Sequence, residues 1–122
     1  MPNGPDVPTG VDLAALGSIE TDLGLDSLRE LITLFLDDAA KQLPGAHAAA
    51  AEGRADKVKL IAHRLKSISY YLGARAVHSQ CEGIETVCKE GGAPDLVAEV
   101  KKLEALLGSA RPALEAYAAR KE

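Results

Sequence analysis

Ala62-His63-Arg64-Leu65-Lys66-Ser67-Ile68-Ser69-Tyr70-Tyr71-Leu72-Gly73-Ala74 reads, at 100° per residue, as one amphipathic helix followed by its own stop signal. Ile61, Leu65, Ile68 and Leu72 fall on a single stripe at i, i+4, i+7 and i+11, the pattern of a core-facing helix. Gly73 follows as a residue suited to the position just beyond a helix C-terminus. His63 lies about 160° from the centre of the stripe, on the polar side. Lys66 and Ser67, at i+3 and i+4, are its neighbours. Packing does not explain a histidine that faces water beside a cation.

The same patterning recurs on both sides. Upstream, Asp26 or Ser27 caps a long helix, with Glu30 at capping-box spacing from Ser27 and Leu28, Leu31, Ile32, Phe35, Ala39 and Leu43 inward. Pro44-Gly45 predicts a kink or short break before the helix resumes to Glu52 and ends at Gly53. Asp56 is the predicted cap of the central helix. Downstream, a helix over Arg75 to Glu90 turns Val77, Cys81, Ile84 and either Val87 or Cys88 inward. Gly91-Gly92 reads as a turn, and Pro94 as the first residue of a last helix with Leu96, Val100, Leu103 and Leu107 as its stripe. Gly108 and Pro112 predict a bend or early fraying there. At the other end, Val11 to Ile19 predicts a short helix capped by Asp12, with Gly17 and Gly24 in the loop that follows. Residues 1–10, which include Pro2, Pro5 and Pro8, read as a disordered leader. Residues 11–122 are thus expected to form a single all-α domain, an antiparallel up-down-up-down four-helix bundle with a short extra N-terminal helix.

Composition narrows the function. A chain of 122 residues with no Trp, one Phe and three Tyr favours helix over sheet and offers few rings for stacking on bases. No apolar run approaches the roughly 20 residues that span a bilayer, and the N-terminus lacks the pattern of a signal peptide. A cytoplasmic protein without membrane contact is expected. Cys81 and Cys88, seven residues apart on one helix, are too far apart to bridge and read as reduced core residues. The net charge of −4 argues against nucleic-acid binding. Yet Arg54, Lys57, Lys59, Arg64, Lys66 and Arg75 share their segment with one acid, Asp56. That basic patch centres on His63 and can steer an acidic or phosphorylated partner. His47 and His78 read as ordinary surface residues. His78 and Cys81 have ligand-like i, i+3 spacing but no further ligands, so no metal site is expected. The absence of a P-loop disfavours a kinase.

His63-Arg64-Leu65-Lys66-Ser67-Ile68-Ser69 with Leu72-Gly73-Ala74 resembles the His-x-Leu-Lys-Gly-Ser-Ser…Leu-Gly-Ala signature of histidine-containing phosphotransfer (HPt) domains. Phe35-Leu36-Asp37-Asp38 resembles the Phe-Leu-x-Asp segment of that family, and Cys81-Glu82 with Ile84 resembles its third helix. The resemblance implies a phosphocarrier in a two-component phosphorelay, without autonomous catalysis. His63 would be the phosphoacceptor, and Lys66 would neutralise part of the phosphoryl charge. Ser67 occupies the slot where the family has glycine, beside the phosphohistidine. The family's usual spacing points to Glu85 as the residue that accepts from His63 Nδ1–H and leaves Nε2 to attack. Lys59, Arg64 and Tyr70 are expected to contact the partner. The implied partners are response-regulator receiver domains and a hybrid sensor histidine kinase. The chain itself is expected to be a monomer with no cofactor, Mg²⁺ belonging to the receiver. A second reading is an HPt-like adaptor or inhibitor that binds receivers or kinases without carrying phosphate.

Overall fold

Apolar stripes this long are buried only against one another, and the chain pairs them helix to helix. The computed structural model describes residues 11–90 and 95–120. Among them the helices are α1 (Leu13–Leu23), α2 (Leu25–Ala51), α3 (Ala55–Tyr71), α4 (Arg75–Lys89) and α5 (Leu96–Ala118), with no strand. Helices α2 to α5 form an antiparallel bundle in which α2 packs on α3 and α5, and α4 packs on the same two. The antiparallel sense of α2 and α5 shows in their ties: Arg29, early in α2, donates to the carbonyls of Ala118 and Arg120, whereas His47 meets Glu104. The core runs through Leu28, Ile32, Phe35, Leu65, Ile84 and Leu103, all essentially buried.

The turns obey the chemistry of helix ends. Helix α3 closes on Gly73 at φ 79°, with Gly73 N–H donating to Tyr70 O and Ala74 N–H to Ser69 O, the paired bonds of a Schellman motif. The left-handed backbone is only half of the reason for glycine there. A Cβ on Gly73 would lie 2.6 Å from the carbonyl oxygen of Asp12. That contact belongs to the N-terminal segment, which pairs Val11 with Ala74 and donates from Asp12 N to Gly73 O. At its far end α1 reaches the end of α5, where Tyr117 donates to Glu20 at 2.7 Å. Helix α1 therefore closes the end of the bundle that holds the α3–α4 turn.

Several boundaries differ from expectation. Asp12 does cap α1, accepting from Ala14 N, but the helix continues through Gly17 to Leu23 instead of loosening into a loop. Helix α2 begins at Leu25 after Gly24. Asp26 and Ser27 therefore lie inside its first turn, because burial of Leu25 and Leu28 draws that turn into the core. Asp56 likewise sits in the first turn of α3 and faces Arg54 at 3.7 Å. Helix α5 is capped by Asp95, which accepts from Ala98 N, so Leu96 rather than Pro94 is its first helical residue. Pro94, the Gly91-Gly92 turn and the 1–10 leader lie outside the described residues.

Neither internal proline ends its helix. Each removes one helical hydrogen bond, to the carbonyl of Ala40 or of Gly108. Ala40, Pro44, Gly108 and Pro112 are all exposed, so water can serve the freed carbonyls while buried Ala46, Ala49, Ala110 and Leu114 hold the later turns in place.

Candidate functional site

The buried side of α3 is centred on Val58, Ala62, Leu65, Ser69 and Leu72, with Ile61 and Ile68 only half-buried. This turns the stripe towards α4 relative to the periodicity of Ile61, Leu65, Ile68 and Leu72. The rotation leaves His63 well exposed and brings Lys66 to the edge of the α3–α4 interface. Ser69 is fully buried and satisfies its hydroxyl by donating to Lys66 O at 2.8 Å.

Helix α4 supplies the partner. The Nδ1 of His63 lies 2.8 Å from Glu85 Oε2, and Lys66 Nζ lies 2.7 Å from Glu85 Oε1. One carboxylate thus holds both members of the sequence pair. Its side chain is 16% exposed, against 66% for His63 and 26% for Lys66. An ionised carboxylate only accepts, so Nδ1 carries the hydrogen, and in the neutral ring the lone pair is on Nε2. Oε1 is buried with no aligned hydrogen bond among the described residues, and its one compensation is the charge of Lys66. Burial pushes Glu85 upward, but the contacts with Lys66 and His63 outweigh it and hold the carboxyl below its usual value. The contact with Glu85 in turn raises Lys66 above the ordinary lysine value, against a smaller opposing effect of burial. Beneath the cluster, Cys81 is fully buried, and burial, reinforced by the charge of Glu85, pushes its thiol up to about 12. Cys81 and Cys88 are both free thiols.

The basic patch is more neutral than its segment implies. Arg64 makes a bidentate pair with Asp38 of α2 at 2.9 and 3.0 Å. Lys66 is paired with Glu85, Arg75 with Asp12 and Arg54 with Asp56. Lys57 and Lys59 are left without an ion pair among the described residues. Lys59 lines a surface groove of about 650 Å³ with Leu60, His63, Glu85, Cys88 and Lys89. Tyr70 is half-exposed two turns beyond His63, its ring 5.0 Å from that of His78 and 4.9 Å from the Arg75 guanidinium. His78 is partly buried rather than a free surface residue, and its Nδ1 donates to Lys66 O at 3.2 Å. Ser67 is exposed one turn from His63 and its hydroxyl has no partner among the described residues.

One feature of this face escaped the sequence reading. Leu60, one turn before His63, is 69% exposed, and Leu34 of α2 is nearly as open. Leu60 lines the groove beside His63, Leu34 lies near Arg64 and Ile68, and Tyr70 and Tyr71 are exposed two turns further along α3. The signal was an apolar residue at 60 that lies off the core stripe.

A histidine held at one nitrogen, open at the other and beside an exposed leucine suits transfer of a group to and from a docked protein. The Hpt domain model matches residues 30–113. The chain belongs to the Hpt domain family. The crystal structure of histidine-containing phosphotransfer protein B (HptB) from Pseudomonas aeruginosa PAO1 is similar in fold, with a TM-score of 0.85 over 98% of this chain and 100% of that one, at 22% identity. No curated protein matches. Among the described residues, no helix is long and apolar enough to cross a membrane.

Proposed function

We propose that this HPt protein carries a phosphoryl group on Nε2 of His63 between aspartates of response-regulator receiver domains, a hybrid sensor histidine kinase feeding the relay. The observation that carries the reading is the tie of Nδ1 to Glu85 on an otherwise open ring. It leaves the nucleophilic lone pair pointing to solvent, where a receiver can approach in line. Lys66 stands one turn away to meet the phosphoryl charge. Ser67 keeps that turn small and adds a hydroxyl donor. Lys59, Leu60 and Tyr70 are the docking contacts on α3, and Arg64 presents its outer edge while fixed by Asp38. The acidic pocket and its Mg²⁺ belong to the receiver, so the chain is a carrier and not an enzyme by itself. It works as a cytoplasmic monomer.

The test is transfer of label from a phosphorylated receiver. Wild-type protein should acquire an acid-labile, base-stable phosphoryl group, and His63→Gln should acquire none. Binding of the receiver without transfer to wild type would replace this reading with the adaptor.

A further inference from the structure

Glu85 serves two residues with one carboxylate. Oε2 accepts from Nδ1 of His63 at 2.8 Å, and Oε1 lies 2.7 Å from Lys66 Nζ with no other compensation among the described residues. Building on the phosphocarrier reading, we infer that Glu85 is a positioning residue that makes His63 a phosphoryl donor rather than a phosphoryl store. It keeps Nδ1 protonated on the phosphorylated ring and competes with the phosphoryl group for Lys66.

The first half follows from the balance of bonds. In its neutral, reacting form His63 carries its hydrogen on Nδ1 and a lone pair on Nε2. When Nε2 attacks an aspartyl phosphate, an N–P bond forms and the P–O bond to the donor breaks. The bonding pair leaves on the donor's carboxylate. No proton has to move, and the ring is now phosphorylated at Nε2, protonated at Nδ1 and cationic. The negative charge of Glu85 faces that ring at hydrogen-bond distance and retains the proton. When the next acceptor attacks phosphorus, the N–P pair returns to Nε2 and the ring leaves as neutral imidazole. A ring that had lost the Nδ1 proton would have to leave as an imidazolate, a far stronger base and a poorer leaving group.

The second half concerns the lysine. A cation one turn from a phosphohistidine ordinarily neutralises its oxygens. Here Lys66 is already seated against Glu85, and its full departure would leave Oε1 buried and uncompensated. The phosphoryl group receives a share of the lysine's charge, not all of it. Both effects shorten the life of the phosphohistidine and favour passing the group onward.

Glutamine at this position separates charge from geometry, since its amide oxygen still accepts from Nδ1 but carries no charge. The full chain, wild type and Glu85→Gln, is phosphorylated with phosphoramidate and freed of the donor. Decay of the phosphohistidine is then followed at neutral pH by ³¹P NMR. The ¹⁵N shifts of the unphosphorylated His63 ring report its tautomer. The expected result is the Nδ1–H tautomer in both proteins and a phosphohistidine that lasts about tenfold longer in the variant, the factor that one pK unit of charge interaction represents. An unchanged or shorter lifetime with the tautomer retained overturns the inference. Wild-type protein that takes no phosphoryl group on His63 overturns the phosphocarrier reading, and the inference falls with it.

Discussion

His47 and His63 each lie against a glutamate, yet the two pairs hold opposite ring nitrogens. Across α2 and α5, His47 Nε2 lies 3.0 Å from Glu104 Oε1, and across α3 and α4, His63 Nδ1 lies 2.8 Å from Glu85 Oε2. The carboxylate of Glu104 occupies the nitrogen farthest from the backbone, and the His47 side chain is only 34% exposed. The carboxylate of Glu85 takes the near nitrogen and leaves the far one in water, on a side chain 66% exposed. Glu104 is itself 56% exposed and has no second partner among the described residues, whereas Glu85 is half-sunk and shared with Lys66. A histidine–glutamate bond is therefore not what distinguishes a site here. Which nitrogen is held, and what else the acid holds, is what sets the His63 pair apart from the His47 pair.

The largest expected effect breaks the comparison at its centre. Replacing His63 with Gln should abolish transfer of label from a phosphorylated receiver, and His47→Gln should leave transfer intact. Equal loss in both would mean that the α2–α5 pair matters as much as the α3–α4 pair.

The next effect is on folding and acts on the α3–α4 pair alone. Gly73 sets the register in which α4 presents Glu85 to His63. An alanine there must adopt a left-handed backbone, at roughly 1–2 kcal/mol, and also displace the Asp12 carbonyl. Gly73→Ala should cost at least about 2 kcal/mol in urea unfolding. It should perturb the NMR signals of His63 and Glu85 more than those of His47 and Glu104. A loss below about 0.5 kcal/mol, the range of ordinary surface substitutions, would show that the N-terminal segment simply moves away.

The scaffold side of this comparison was the more readable from residues alone, with instructive exceptions. Leu28, Ile32 and Phe35, like Leu96, Val100 and Leu103, repeat at helical spacing and are buried as that spacing implies. Gly17 misled, and Pro44 and Pro112 end neither helix, because a local breaker says nothing of which way it faces, and the two prolines face water. His63, Lys66 and Glu85 could be named in advance because helical neighbours and family spacing both pointed to them. The sharing of one carboxylate by His63 and Lys66 could not. It depends on the small rotation of α3 that buries Ala62 and Ser69, and on acids from other helices that quench the local cations. Asp38, Asp12 and Glu85 are remote in sequence from the residues they neutralise, so a count of charges along the segment overstated the patch.

A smaller effect separates the lysine from the histidine. Lys66→Ala should slow transfer about tenfold, the size of one charge-assisted contact, and also lower the unfolding midpoint, because Glu85 Oε1 is left buried without its cation. Lys102→Ala, on the exposed side of α5, should change neither. Unaltered transfer in Lys66→Ala would confine that lysine to holding Glu85.

The finest test is titration of Glu85 itself, because it asks whether burial or pairing dominates the acid that the two residues share. Burial works to raise its carboxyl, and the contacts with Lys66 and His63 lower it by more, so the folded value lies below the ordinary one. An unstructured glutamate titrates near 4.3. With the folded value depressed, the stabilising contribution of Glu85 is complete above that pH and is lost as pH falls through the lower folded value. Carboxyl ¹³C NMR should therefore give Glu85 a midpoint below that of an unstructured glutamate in wild-type protein. In Lys66→Ala the midpoint should move upward, since the desolvation remains and the principal opposing charge is gone. A wild-type midpoint at or above the unstructured value would mean that burial prevails. Glu85 would then be a partly protonated neighbour of His63 rather than the ionised anchor that distinguishes this pair from His47 and Glu104.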